Sequence, residues 1–224
     1  MIQIVPAIIP DSFDHLVKQT SLVKDFVDLV QIDVMDGKFA PEASWPYKKK
    51  SDSDFEKLVQ SEGGFEYWED LAFEVDMMVE KPEDYIHDWI CAGASALIIH
   101  MGSTEKIREI IDIAEDKHVG VGLAIRPETP NEELDEWIPH VNFVQFMGNQ
   151  KIGYHGVELD VKVVDKIKDL RNEYGELIIG VDIGVTFETA PLLVEAGANK
   201  LVSGSTIFKS KNIEKTIEGL AHIT

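Results

Sequence analysis

The stretch Val30-Gln-Ile-Asp-Val-Met-Asp-Gly37 decides the fold of this chain. Apolar residues run into Asp33 and Asp36 and stop at an Asp-Gly pair, a pattern typical of a buried parallel strand that carries carboxylates to its carboxyl end. A second segment, Leu177–Gly184, has the same form about 150 residues later and contains Asp182. If both strands belong to one barrel, Asp33 and Asp182 lie on one rim and can exchange a proton with opposite faces of one carbon.

Eight short β-rich apolar runs alternate with helical patterns along the whole chain. The predicted strands are Gln3–Ile9, Leu29–Val34, Ala72–Met78, Ala96–His100, Gly120–Ile125, Phe143–Met147, Leu177–Asp182 and Lys200–Gly204. The helices predicted between them include Thr104–Asp116, capped by Ser103 or Thr104, and Asn131–Trp137. Eight βα units in 224 residues predict an α/β protein, a (β/α)8 TIM barrel that forms a single domain over residues 1–224. An open doubly wound sheet is the alternative, but no Gly-x-Gly-x-x-Gly follows the first strand.

The chain is strongly acidic, with a net charge of −20 and a pI of about 4.6. Such a surface repels nucleic acid and anionic membranes, so both are disfavoured as partners. A phosphorylated substrate would have to be bound by local backbone N–H groups and helix N-termini. The single cysteine, Cys91, excludes an internal disulfide and a multi-cysteine zinc site, and its apolar neighbours predict that it is packed inside. Without a signal peptide or a membrane-length apolar run, we expect a cytoplasmic protein.

The connection over residues 38–71 is long for a βα loop and contains a strongly polar stretch at residues 47–54. A loop of this length is typical of an active-site lid, and a solvated surface insertion is the alternative interpretation. The aromatic segment Glu62–Trp68 adds a third possibility, an oligomer interface.

Taken in order, these motifs resemble those of the ribulose-phosphate 3-epimerase family over nearly the whole chain. The matching segments are Val30–Phe39, Val75–Tyr85, Ala92–His100, Gly122–Pro130, Val181–Gly184 and Glu195–Ser205. The resemblance implies a ribulose-phosphate-binding barrel that interconverts ribulose 5-phosphate and xylulose 5-phosphate at C3. It also implies a small phosphorylated ketose as substrate, Asp33 and Asp182 as the proton-transfer pair, and a homo-oligomer, either a dimer or a hexamer.

The resemblance assigns further residues to substrate binding. Methionines that form the floor of the family's site match Met35, Met78 and Met147. A histidine after the fourth strand matches His100, which either contacts substrate or metal or is a buried histidine bonded to its neighbours in the barrel. Small residues after strands seven and eight imply a phosphate site, and two glycines in the loop after strand six imply a lid. These residues are Gly184, Gly204 and Ser205 for the phosphate, and Gly153 and Gly156 for the lid. Without the resemblance, the methionines would be read as core and the glycines as turn residues.

The expected divalent-metal site departs from the family pattern, because Gln31 and Asp76 stand where the family has histidines. The implied ligand set is Gln31, Asp33, Asp76 and Asp182, all oxygen donors, which favours a hard cation such as Mg²⁺ or Mn²⁺ over zinc or iron. Without a cation, three crowded carboxylates would raise the pKa of at least one of them. A site that has lost both its metal and its activity is therefore an alternative, which would leave a barrel that only binds phosphosugars.

Other enzymes of the same superfamily are a further alternative. The 3-keto-gulonate-phosphate decarboxylases and hexulose-phosphate synthases carry Asp-x-Lys-x-x-Asp on the third strand, and Glu74–Val79 supplies no lysine. A hexulose-phosphate 3-epimerase stays open, since sugar length cannot be read from the sequence. Arg126 replaces a family asparagine and could hold an anion or pair with an aspartate, while Ala7 removes one polar substrate contact.

Overall fold

The computed structural model describes residues 2–60 and 64–223, and it confirms the predicted (β/α)8 barrel. Eight parallel strands, β1 to β8, are hydrogen-bonded in chain order and form a closed barrel. The strands are β1 Gln3–Ile8, β2 Leu29–Met35, β3 Ala72–Met78, β4 Ala96–His100, β5 Gly120–Ile125, β6 Phe143–Met147, β7 Ile178–Asp182 and β8 Lys200–Ser203. The α-helices are α1 Phe13–Val23, α2 Ser53–Gln60, α3 Ile86–Cys91, α4 Ile107–Asp116, α5 Lys162–Glu173, α6 Ala190–Ala196, α7 Ser205–Phe208 and α8 Ile213–Ala221.

The chain divides into two compact units, of which one comprises residues 7–121. Within it, β2 pairs with β3 along its full length, from Leu29 opposite Ala72 to Met35 opposite Met78. Strand β4 continues the sheet on the far side of β3. Because parallel strands in register place matching residues side by side, Asp33 of β2 lies at the same level as Asp76 of β3.

The other unit comprises the residues up to Pro6 and those from Gly122 onward. Its strands β5, β6, β7 and β8 pair in order, and the first four residues of β1, from Gln3 to Pro6, pair with β8. Strand β6 runs beside β7 from Phe143 opposite Ile178 to Met147 opposite Asp182. Asp182, at the end of β7, therefore lies beside Met147, a predicted substrate-binding residue at the end of β6.

Much of the long connection between β2 and β3 is packed rather than solvated. Trp45 and Phe55 are buried and contact Trp89 of α3, with ring centroids 6.1 Å and 4.7 Å from it. The indole N–H of Trp89 donates to the hydroxyl of Tyr47 over 2.7 Å. The stretch from Lys48 to Ser51 is exposed, as the surface-insertion interpretation expected. The predicted Glu62–Trp68 aromatic segment lies partly outside the described residues.

Three local predictions were wrong. The predicted helix Asn131–Trp137 forms only a 3-10 turn, Asn131–Leu134, followed by a turn and a second 3-10 segment, Ile138–His140, in which Pro139 has no amide proton to extend an α-helix. Helix α4 begins only at Ile107, and the cap position is Lys106 without a side-chain cap. Cys91 is exposed, since it lies two positions after the buried Trp89 and so on the opposite side of α3.

Helix α7 was not predicted from the sequence. No helix in the described part of the chain combines the length and apolar character needed to cross a membrane.

Candidate active site

Asp33 and Asp76 are buried register partners on β2 and β3. Gln31 lies two residues before Asp33 on the same face of β2, and its side-chain amide donates to Oδ1 of Asp33 over 2.8 Å. A hydrogen bond donated to a carboxylate stabilises the ionised form. In this conformation Gln31 presents its amide nitrogen to Asp33, so the predicted role of Gln31 as an oxygen ligand stays a prediction.

His100, at the end of β4, lies directly against Asp76. Its Nε2 is 2.7 Å from Oδ1 of Asp76, so the two side chains share a hydrogen bond. The ring of Phe39 packs on the imidazole, with centroids 5.4 Å apart. The structure thus places His100 against Asp76 and shows the neighbours that hold it, while its contact with a substrate or metal stays a prediction.

Asp182 ends β7 and is buried. Its Oδ1 accepts a hydrogen bond from the backbone N–H of Ile183 over 2.7 Å, and its carbonyl accepts one from Gly148 over 2.6 Å. Both bonds come from backbone groups, so the orientation of Asp182 depends on how the loops after β6 and β7 are folded.

The loop after β2 contains an anchoring serine that sequence analysis missed. The hydroxyl of Ser44 donates to the carbonyl of Asp33 over 3.2 Å and accepts from the backbone N–H of Met35 over 3.0 Å. The side chain is buried, and it fixes the end of β2 from a residue eleven positions after Asp33. No motif marks Ser44, which lies inside the long connection.

Asp36, the second carboxylate of the Val30–Gly37 motif, bonds to the backbone of two loops. Its Oδ1 accepts from the backbone N–H groups of Lys38 and Phe39, and its Oδ2 accepts from that of Glu80 after β3. Asp36 therefore ties the loops after β2 and β3 together. In these contacts it acts as a structural residue beside the site.

Three buried aspartates form a cluster that could hold a metal ion. One carboxylate oxygen from each of Asp33, Asp76 and Asp182 lies within 4.8 Å of the others. Among the described histidine, cysteine, aspartate and glutamate side chains, these three are the ones that meet in this way, so every ligand of the cluster is a carboxylate. The donor set fits a hard divalent cation, which prefers oxygen ligands.

Two groups of predicted substrate-binding residues are the methionines at strand ends and the glycines after β6. Met35, Met78 and Met147 are all buried at the carboxyl ends of their strands. Gly153 and Gly156 both adopt left-handed backbone conformations in the loop after β6. Each of these residues lies at or beyond the carboxyl end of a strand, although their contact with a substrate stays a prediction.

The loops after β7 and β8, which carry Gly184, Gly204 and Ser205, are bound to each other. The hydroxyl of Thr206 donates to the carbonyl of Val185 over 2.7 Å, and that of Ser203 donates to the same carbonyl over 3.2 Å. Thr206 was not singled out from the sequence. This pairing brings together the two loops that the resemblance assigns to phosphate.

Arg126 follows β5 and is half-buried, and this burial lowers the pKa of its guanidinium. Its backbone carbonyl accepts a hydrogen bond from Nζ of Lys166 over 3.0 Å. Lys166 also donates to the carbonyl of Thr129 and lies 5.5 Å from the centre of the Phe146 ring. The lysine therefore holds the loop after β5 against α5.

Comparison with known proteins places this geometry in a family. The model of the ribulose-phosphate 3 epimerase family matches residues 3–208. The chain belongs to the ribulose-phosphate 3-epimerase family. This confirms the resemblance, and members named ribulose-phosphate 3-epimerase are similar along nearly its whole length. One from Bacillus subtilis is 31% identical over 223 residues, covering 97% of each chain, and one from Schizosaccharomyces pombe is 30% identical over 97% of this chain and 92% of its own.

A chloroplastic ribulose-5-phosphate-3-epimerase from Arabidopsis thaliana is 30% identical over 96% of this chain and 74% of its own length. Among solved structures, a 3-hexulose-6-phosphate synthase from Salmonella typhimurium superposes with a TM-score of 0.71 at 13% identity, covering 99% of this chain and 98% of the other. At that identity the match shows the barrel fold that the epimerase family shares with other enzymes, and it carries no information about substrate.

Proposed function

We propose that this protein is a pentulose-phosphate 3-epimerase, an isomerase that interconverts ribulose 5-phosphate and xylulose 5-phosphate. The observation that carries the proposal is the cluster of three buried aspartates in a chain of the ribulose-phosphate 3-epimerase family. Family relatives from bacteria, yeast and plants bear the epimerase name. The departures at Gln31 and Asp76 leave oxygen donors where the family pattern has histidines.

The acid and base of the reaction are Asp33 and Asp182 in this proposal. One of the two, as the ionised carboxylate, takes the C3 proton from one face of the ketose, and the other, as the protonated acid, donates its proton to the opposite face, so that the configuration at C3 inverts and the two groups exchange protonation states. Each group would contribute about a hundred- to ten-thousand-fold to the rate. Two contacts orient the pair: the Gln31 amide donates to Asp33, and the N–H of Ile183 donates to Asp182.

Asp33, Asp76 and Asp182 would hold a hard divalent cation, which we infer to be Mg²⁺ or Mn²⁺. When bound, such an ion stabilises the negative charge that develops on the substrate oxygens as the C3 proton leaves. His100 holds Asp76 in place through its Nε2. Met35, Met78 and Met147 line the apolar side of the site, where exclusion of water would strengthen these charge interactions.

The phosphate of the substrate is proposed to bind between Gly184 and the Gly204–Ser205 pair, with Gly153 and Gly156 in a loop that covers it. The hydrogen bonds from Ser203 and Thr206 to Val185 support this assignment, because they hold these two loops beside each other. Exposed backbone N–H groups can bind phosphate despite the net charge of −20. A cytoplasmic location and a homo-oligomeric state, dimer or hexamer, remain predictions from the sequence and family.

The test is exchange of the C3 proton. Purified protein with Mn²⁺ or Mg²⁺ and ribulose 5-phosphate in D₂O is expected to form xylulose 5-phosphate and to incorporate deuterium at C3, followed by NMR. Asp33→Asn and Asp182→Asn should each abolish the exchange. Asp14→Asn, an exposed aspartate on α1, is the control and should leave it unchanged. Exchange that persists in both site variants would contradict the assigned pair.

A further inference from the structure

The backbone after Asp182 adopts a conformation that its sequence disfavours. Ile183 has a φ of 75° and Gly184 a φ of 77°, so two successive residues lie in the left-handed region. Glycine adopts this region freely, whereas a β-branched residue such as isoleucine is a clear outlier there. Since such strain persists only where the surroundings enforce it, the neighbours of Ile183 must hold the turn.

Gly148, the residue that follows β6, is one of these neighbours. Its N–H donates to the carbonyl of Asp182 over 2.6 Å. A Cβ built on Gly148 would lie 2.9 Å from the carbonyl carbon of Ile183 and closer still to its oxygen, a distance that real side chains do not adopt. The backbone of Ile183 thus occupies the space that any side chain at position 148 would need.

Residues at the far end of the loop after β6 also contact this turn. A Cβ on Gly184 would lie 2.7 Å from Cα of Leu159, and the N–H of Asp160 donates to the carbonyl of Gly148 over 2.7 Å. The two ends of the loop over residues 148–160 therefore meet around the left-handed turn. The left-handed conformation points the N–H of Ile183 at Oδ1 of Asp182.

We propose that Gly148 is a positioning residue for Asp182. By leaving room for the carbonyl of Ile183, it maintains the left-handed turn whose N–H orients the Asp182 carboxylate. The proposal rests on the proposed function, in which Asp182 transfers the C3 proton. Gly148 itself touches neither substrate nor reacting atoms in this scheme.

Gly148→Ala is the first test. The added methyl group displaces the Ile183 carbonyl and misaligns Asp182, and we expect kcat to fall about 10- to 100-fold, since displacements of this size at a reacting group have such effects. KM for ribulose 5-phosphate should change less than about threefold, because Ser203 and Thr206 still hold Val185, and with it the loops after β7 and β8, together. Gly175→Ala is the matched control, since a Cβ at that glycine meets nothing within 4 Å.

A double variant separates positioning from a merely structural role. Adding Ile183→Gly to Gly148→Ala frees the turn to move away from the new methyl group, so the urea midpoint should return towards the wild-type value. The carboxylate is not reoriented by that relief, and kcat should stay low. If kcat recovers together with the urea midpoint, the positioning role is overturned.

The amide proton of Ile183 gives a readout that does not depend on turnover. A short hydrogen bond to a carboxylate moves its NMR signal downfield, and both Gly148→Ala and Asp182→Asn should move it back upfield. If Gly148→Ala leaves the signal in place, the proposal fails whatever the activity. If the wild type does not epimerise and the signal still moves, the proposed function fails while the positioning of Asp182 by Gly148 stands.

Discussion

The imidazole of His100 and the carboxylate of Asp76 form a hydrogen bond of 2.7 Å between side chains that are 1% and 0% exposed. Neither group has access to water that could replace the other. A buried carboxylate that loses its donor keeps the full cost of desolvation, so the two residues depend on each other.

His100→Leu is expected to lower the free energy of unfolding by about 3 kcal/mol, because it leaves Asp76 buried without this partner. It should also weaken Mn²⁺ binding about 10- to 100-fold, since groups that orient a metal ligand have effects of this size. Urea denaturation in EDTA and calorimetric Mn²⁺ titration measure the two quantities. The control is His15→Leu, which removes a partly exposed histidine 3.8 Å from Asp11 and should cost below about 1 kcal/mol. Equal losses in both variants would contradict the dependence.

Ser44→Ala removes the hydroxyl that bonds to the backbone of Asp33 and Met35. Because the N–H of Met35 is then left buried without this acceptor, we expect a loss of about 1–3 kcal/mol in unfolding free energy. The end of β2 also becomes less fixed, so kcat should fall with it. Ser21→Ala, which removes an exposed hydroxyl bonded to the carbonyl of Lys18, should change neither quantity measurably. A stable, fully active Ser44→Ala protein would show that Ser44 does not anchor Asp33.

Lys166 gives the protein a defined response to alkaline pH. Burial lowers its pKa from 10.5 to about 8, although Glu132 and Glu133 act in the opposite direction. Between pH 8 and 10.5 the unfolded chain therefore binds a proton that the folded protein does not, and stability attributable to this group rises with pH. The unfolding free energy of the wild type relative to Lys166→Met should increase by about 1 kcal/mol from pH 7 to pH 10, a value reduced to allow for solvent screening.

The control for that measurement is Lys168→Met, an exposed lysine on the same helix. Its stability difference from the wild type should stay flat over this pH range. A flat profile for Lys166→Met as well, or a fall with rising pH, would show that Lys166 is not held in the buried position described.

Gly184→Ala and Gly156→Ala test how tightly the turn after β7 is enclosed. Both glycines are left-handed, at φ 77° and 70°, so alanine at either one incurs backbone strain of about 1–2 kcal/mol. Only Gly184 also meets Leu159, and overpacking there should add about 1–3 kcal/mol. Thermal or urea unfolding of the two variants isolates the contact as the difference between them. Equal destabilisation would indicate that Leu159 can move aside.

The barrel itself was predictable from the sequence. Alternating apolar runs and helical patterns gave all eight strands to within two residues at their ends, because parallel strands buried on both faces require continuous apolar residues. The same logic failed at Asn131–Trp137, where only a 3-10 turn forms, and at Cys91, where an apolar neighbourhood concealed a solvent-facing helix position.

For the site, the sequence by itself determined which carboxylates reach the ends of strands, since an aspartate late in a buried apolar strand lies at the carboxyl end of that strand. Asp33 and Asp182 were identified in this way, whereas Asp76 was identified only through the family resemblance, as the residue in the place of a family histidine. Only the tertiary structure decided what holds them: Ser44 on Asp33, His100 on Asp76, and Gly148 beneath the strained turn at Asp182. These partners lie 11 to 34 residues away from the aspartates they support, and their contacts depend on hydrogen-bond geometry and free space that exist only once the chain has folded.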